Sequence, residues 1–133
     1  MANSNIILPV TAYSSNTPQP VTGDKFKGGG FYSKANGLHT VQWNLYNFVG
    51  TIGIQATLAI DPLESDWFLV NLGNDTLVID TTGAASKYTS NKFEYPISTN
   101  GVYGSNFSGN YVWIRAYITD WSAGNINSII LSH

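Results

Sequence analysis

The sequence predicts an all-β chain: a single-domain β-sandwich or jelly roll of seven to eight short antiparallel strands with an extended N-terminal arm. Three observations predict it. Aromatic residues are plentiful, charged residues are few, and Ser, Thr, Asn and Gly fill the gaps between apolar positions, the composition of strands joined by turns. Two stretches, 47–58 and 106–118, both begin Asn-Phe-x-Gly and then alternate with period 2. Their apolar sets are Ile52, Ile54, Ala56 and Leu58 in the first and Val112, Ile114, Ala116 and Ile118 in the second, the pattern of two central strands. Finally, no run of ten or more residues holds a 3.6-residue apolar period with caps at its ends, so helix content is expected to be very low. At 133 residues the chain suffices for one core, divided here into an arm, 1–20, and a sandwich domain, 21–133.

Taken in order, residues 1–20 are rich in Asn, Ser, Thr and Pro around an apolar group, Ile6, Ile7, Leu8 and Val10. Such an arm either lies on its own domain as an edge strand or reaches out to pair with a neighbouring subunit. Gly28-Gly29-Gly30 marks a flexible or sharply bent connection; a phosphate loop would need Gly-x-x-x-x-Gly-Lys-Ser/Thr and a following helix. Residues 40–46 alternate Val41, Trp43 and Leu45 inward against Thr40, Gln42 and Asn44 outward. With a turn at 47–50, residues 40–58 read as a β-hairpin. An acidic turn at 61–66, a short strand from Trp67 to Val70, and a strand from Thr76 to Asp80 follow. Residues 84–92 carry no clear pattern, 93–95 alternate briefly, and Asn100-Gly101 signals a tight turn. The second central strand, 110–118, is followed by a turn at 120–124 and a last strand, 126–131.

Several classes of chemistry find no support. A net charge of −2 with six Lys and Arg spread singly along the chain cannot neutralise a run of phosphates, which argues against nucleic acid. No stretch approaches the roughly 20 apolar residues of a membrane helix, and the N-terminus has no secretory-signal pattern, so synthesis in the cytoplasm is expected. With no cysteine and two histidines, His39 and His133, no zinc-ligand spacing exists. The Gly-x-Ser-x-Gly elbow of a Ser/His/Asp hydrolase is absent. Asp61, Glu64, Asp66, Asp75 and Asp80 lie in or beside turns, where carboxylates cap amides or face water. A calcium set of Asp61, Glu64 and Asp66 lacks the loop spacing. A small hydrolase would require distant carboxylates, such as Asp61, Asp66 and Asp80, to gather in a cleft. The expectation is a non-enzyme with no cofactor.

The most informative stretch is the second central strand, where Tyr111, Trp113, Arg115 and Tyr117 alternate against Val112, Ile114, Ala116 and Ile118. Both faces are costly to expose. Either the protein's own arm or loops cover the outer face, or it meets a partner protein, or its rings form a sugar-stacking platform. The first central strand, with Gly53, Gln55 and Thr57 opposite its apolar set, needs only one covered side.

Gly37–Gln42, the run Asn47-Phe48-Val49-Gly50-Thr51-Ile52, the run Gln55-Ala56-Thr57-Leu58, Asp66-Trp67-Phe68 and residues 109–116 together resemble small virion proteins of tailed phages, particularly those infecting marine cyanobacteria and related hosts. The resemblance spans about 31 to 131 and leaves the arm unmatched. It implies a structural component of the particle, localised to the virion, with no catalytic residue to transfer. The expected function is therefore a capsid decoration (cement) protein binding the major capsid protein, as a homo-oligomer or as lattice-bound copies. Neck or tail placement competes closely. A carbohydrate-binding module of a host-attachment apparatus, using Tyr111, Trp113 and Tyr117, is the rival from a different class.

Overall fold

The computed structural model describes residues 4–14, 19–32, 37–72, 74–79, 81–83, 85–90 and 92–132. The sequence candidates Asp80 and His133 lie outside them. Among the described residues the chain is all-β, interrupted only by short 3-10 turns at Gly29–Tyr32 and Glu64–Asp66.

Three long strands dominate: β5 (Leu38–Thr57), β9 (Lys92–Ser108) and β10 (Trp113–Ser132). β5 is central, antiparallel to β10 along one side and to β9 along the other, where β6 (Phe68–Leu69) continues the column beside Gln55 and Ala56. The far side of β10 is lined by four short segments, β1 (Ser4–Leu8), β2 (Thr11–Ala12), β3 (Val21–Thr22) and β4 (Phe26–Lys27), which act together as one segmented edge. β7 (Asn74–Ile79) and β8 (Ala85–Ser90) form a separate hairpin, so the stretch 84–92 that shows no pattern in sequence contains a strand.

The long strands become a sandwich by bending. In β5 the buried positions are His39, Val41, Trp43 and Leu45 before the middle of the strand, and Phe48, Ile52, Ile54 and Ala56 after it. The parity changes at Asn47, whose φ of 51° is left-handed, a conformation that Asn tolerates better than most residues. β10 changes register with β5 between Thr119 and Ala123, beside Asp120 at φ 52°, and β9 does so opposite Leu45 to Gly50. Since an extra residue in one strand kinks it and rotates the side chains that follow, the two halves of each long strand turn their apolar faces toward each other.

The bend is tightened by side chains. Asn100 Oδ1 accepts from the Asn47 amide at 3.0 Å, and Asn100 Nδ2 donates to Asn47 Oδ1 at 3.2 Å. Gly124, at φ 80°, comes so close to Asn47 that a Cβ would sit 2.1 Å from the Asn47 carbonyl oxygen, which only glycine permits.

Contacts across the core confirm the folding-over. The Trp43 indole N–H, in the first half of β5, donates to the Tyr95 hydroxyl at 2.8 Å, and its ring lies 5.0 Å from Phe93. Tyr95 and Phe93 stand opposite Gly50 and Ile52, in the second half. One apolar cluster therefore runs from Ile7 and Leu8 through Trp43, Phe48, Ile52, Ile54, Ile114 and Ile118 to Ile129 and Leu131.

The sandwich is thus built from bends where the sequence suggests turns. The predicted hairpin at 40–58, the turn at Asn100-Gly101 and the turn at 120–124 are corrected to bulges inside continuous strands. The two Asn-Phe-x-Gly stretches also prove unequal: Asn47 sits at the bend of β5, whereas Asn106 lies within β9, opposite Thr40. The stretch Ser4–Leu8 of the arm pairs with β10 of its own chain and buries Ile7 and Leu8, while Ile6 and Val10 stay exposed. The described part of the arm is accordingly the edge of the sheet, the first of the two readings.

Candidate functional site

β10 buries Ile114, Ala116 and Ile118 completely and turns Trp113, Arg115 and Tyr117 to the outer face of the second half. Tyr111 does not join them. It precedes the strand, so the alternation does not govern it, and its ring packs among His39, Phe107 and Phe68 at centroid distances of 5.8, 6.1 and 5.8 Å. Its hydroxyl donates to the Ser108 carbonyl at 3.0 Å, and burial pushes the phenol pKa up. Tyr111 packs partly buried against the core, and does not lie with Trp113 and Tyr117 on the outer face of β10.

The glycine triplet beside it is fully used by the protein. Gly28 N–H donates to Val112 O, Gly30 N–H to Tyr111 O and Gly29 N–H to His39 Nε2, each at 2.9 Å. Because Nε2 accepts, the proton of this fully buried imidazole sits on Nδ1, which donates to Gly37 O at 2.8 Å. His39 and the triplet thus hold the turn that presents Phe31 and Tyr32.

Arg115 is covered by the protein's own loop. Its Nε donates to Gln55 Oε1 at 2.8 Å, and its Nη atoms reach both carboxylate oxygens of Glu64 at 3.2 and 3.0 Å. Its guanidinium lies 4.3 Å from the Trp67 ring. A buried guanidinium is tolerated only when its donors and charge are matched, and here they are, although the Glu64 side chain itself is largely exposed. The hydrogen bond from Arg115, and then its positive charge, hold the Glu64 carboxyl below its usual pKa.

The same loop is fastened at its start, where the Trp113 indole N–H donates to the Ile60 carbonyl at 2.9 Å, and within itself, where Asp66 accepts from the Leu63 amide at 2.8 Å. Asp66 and Glu64 are therefore a turn cap and an ion-pair partner. Among the described residues no group of three or more His, Cys, Asp or Glu is placed to hold a metal ion, and no helix is long and apolar enough to cross a membrane.

Two surfaces follow from this loop. The first is an apolar rim: Leu58, Ile60 and Leu63 are 62%, 75% and 70% exposed. Next to it Phe31 lies 5.3 Å from Trp113, with Lys27 over Phe31 and Lys25 over Trp113. The second is an open cleft of about 300 Å³ between Thr22–Lys25 and Pro62, Glu64 and Trp67, with Arg115 also lining it. The sequence singles out Arg115 and Trp113 but misses Glu64, Trp67, Lys25 and Phe31 as their neighbours. Leu58, expected inward, lies just past the end of β5 and is exposed.

No family model matches the chain, and no curated protein matches it. Among solved structures the chain is similar to the SPBc2 prophage-derived protein YomS, with a TM-score of 0.53 and 12% identity over 99% of this chain and 92% of that one. The YomS likeness is one of fold. A family 29 carbohydrate-binding module from Piromyces equi, CBM29_1, aligns with a TM-score of 0.45 and 10% identity over 99% and 91% of the two chains.

Proposed function

We propose that the protein is a non-enzymatic structural component of a phage virion, docked on the outer surface of the major capsid protein as a decoration (cement) protein. The observation that carries this reading is the anchored apolar rim of Leu58, Ile60 and Leu63 beside Phe31 and Trp113. A loop that served only to connect strands would gain nothing from presenting three aliphatic side chains to water. Exposed apolar groups beside aromatic anchors are what the cores of protein interfaces are made of. The fastening of this loop at Ile60, Glu64 and Asp66 reduces the ordering cost of binding. Repetition on a lattice lets many modest interfaces stabilise a shell together. The fold shared with a prophage-derived protein and the sequence resemblance to tailed-phage virion proteins point the same way. A neck or tail position would use the same rim on a different partner.

Mass spectrometry of particles purified from lysates expressing the protein tests this. The protein is expected in the particles, and the double variant Ile60→Ser, Leu63→Ser is expected to fold with an unchanged melting temperature yet be lost from them. Absence of the wild-type protein from mature particles would overturn the reading.

A further inference from the structure

We infer that the cleft lined by Arg115 is a binding site for one unit of a neutral saccharide. At about 300 Å³ it lies at the small end of ligand-site volumes, roughly 300–1,000 Å³, which suits a single small ring and not an extended chain. Its lining is chemically balanced. Asp24 and Glu64 can only accept hydrogen bonds when ionised, Lys25 and Arg115 can only donate, and Thr22 can do both. Two negative and two positive groups give no net preference for an anion or a cation. A ligand whose every hydroxyl both donates and accepts can satisfy both sets at once.

The site is also prepared in advance. Arg115 is held by Gln55, Glu64 and the Trp67 ring, and these bonds use three of the five N–H donors of a guanidinium, leaving two for a ligand. Trp67 and Pro62 contribute apolar surface to a mostly polar lining, a place for the C–H face of a sugar. The walls come from opposite sides of β10: Thr22–Lys25 from its edge segments, and Pro62, Glu64 and Trp67 from the loop beyond β5. The site thus exists only in the folded chain. It shares no residue with the aliphatic rim and does not rest on the assembly role.

The test is an NMR titration of the full chain, following the Arg115 Nε–H and Trp67 Nε1–H signals. The probes are tetramers of glucose, mannose, galactose and N-acetylglucosamine, with trigalacturonate as a charged control. At least one neutral tetramer is expected to shift both signals saturably at millimolar concentration. The affinity is expected to fall about tenfold, close to 1.4 kcal/mol, in Asp24→Asn and in Thr22→Val. Both positions are exposed, so folding should survive, and a thermal melt checks this. The Ile60→Ser, Leu63→Ser variant should bind the sugar as the wild type does, which separates this site from the docking rim. No saturable shift with any neutral tetramer, a response to trigalacturonate alone, or unchanged affinity in both cleft variants would overturn the inference.

Discussion

The two halves of β5 carry similar outward side chains and treat them differently. Before the bend Thr40 and Gln42 are exposed, whereas after it Thr51 and Thr57 are 6% and 1% exposed. A threonine facing away from the core can be either solvated or covered, and the alternation of apolar residues does not distinguish the two. At Thr57 the difference arises from the chain that leaves it. It returns across the second half, where Ile60, Glu64 and Trp67 fasten onto Trp113 and Arg115. The first half is a plain sandwich face; the second has become the foundation for a loop, a rim and a cleft. The expectation that 47–58 needs only one covered side is therefore corrected.

The largest effect that would test this contrast comes from the edge shared by both halves. Deleting residues 1–20 removes β1 and β2 together with the buried Ile7 and Leu8. Burying two such side chains contributes about 3–6 kcal/mol, a large part of a typical domain's stability of about 5–15 kcal/mol. Circular dichroism should therefore show an unfolded or severely destabilised chain, the reverse of what an independent arm implies. Next comes the bend itself. Gly124→Ala would drive a Cβ into the Asn47 carbonyl oxygen at a left-handed φ and should cost about 3 kcal/mol in urea denaturation.

A smaller, pH-dependent effect belongs to the covered half alone. The hydrogen bond and charge of Arg115 hold the Glu64 carboxyl below the usual carboxylate range. The ionised form is thus favoured by folding, and its contribution is present above that range and lost as pH falls through the lowered value. The melting temperature of Glu64→Gln should lie below that of the wild type at pH 7, with the gap closing at pH 3; a constant gap would mean that the ionisation of Glu64 contributes nothing to folding. The smallest effects compare one strand with itself. Thr57→Ala, which removes the acceptor of the Ala59 amide, should cost about 1 kcal/mol, and Gln42→Ala, on the exposed face, less than about 0.5 kcal/mol.

Much of the core was legible because period-2 alternation survives wherever a strand is straight. Val41, Trp43 and Leu45, then Ile52, Ile54 and Ala56, then Ile114, Ala116 and Ile118, are all buried as expected. The bends are marked in the sequence as well, at Asn47, Asn100-Gly101 and Asp120, where the local residues predict turns. A left-handed residue is required by a tight hairpin and by a bulge alike, and only the long-range partner decides which is built. At the site, Arg115 and Trp113 stood out by their type on an apolar strand. Glu64, 51 residues away from Arg115, had no local signal beyond belonging to an acidic turn that ends in a tryptophan. Tyr111 departs from the expected outward row because the strand begins at Trp113, so the alternation does not extend that far.

The central claim, that the covered half of the sheet meets the partner and the bare half meets solvent, is tested most directly by hydrogen–deuterium exchange of the free and the particle-bound protein. Protection on binding is predicted at residues 58–67 and at Phe31 and Tyr32, with Thr40, Gln42 and Asn44 unchanged. Protection confined to the face of Thr40 to Asn44, or to the exposed Ile6 beside it, would contradict the account.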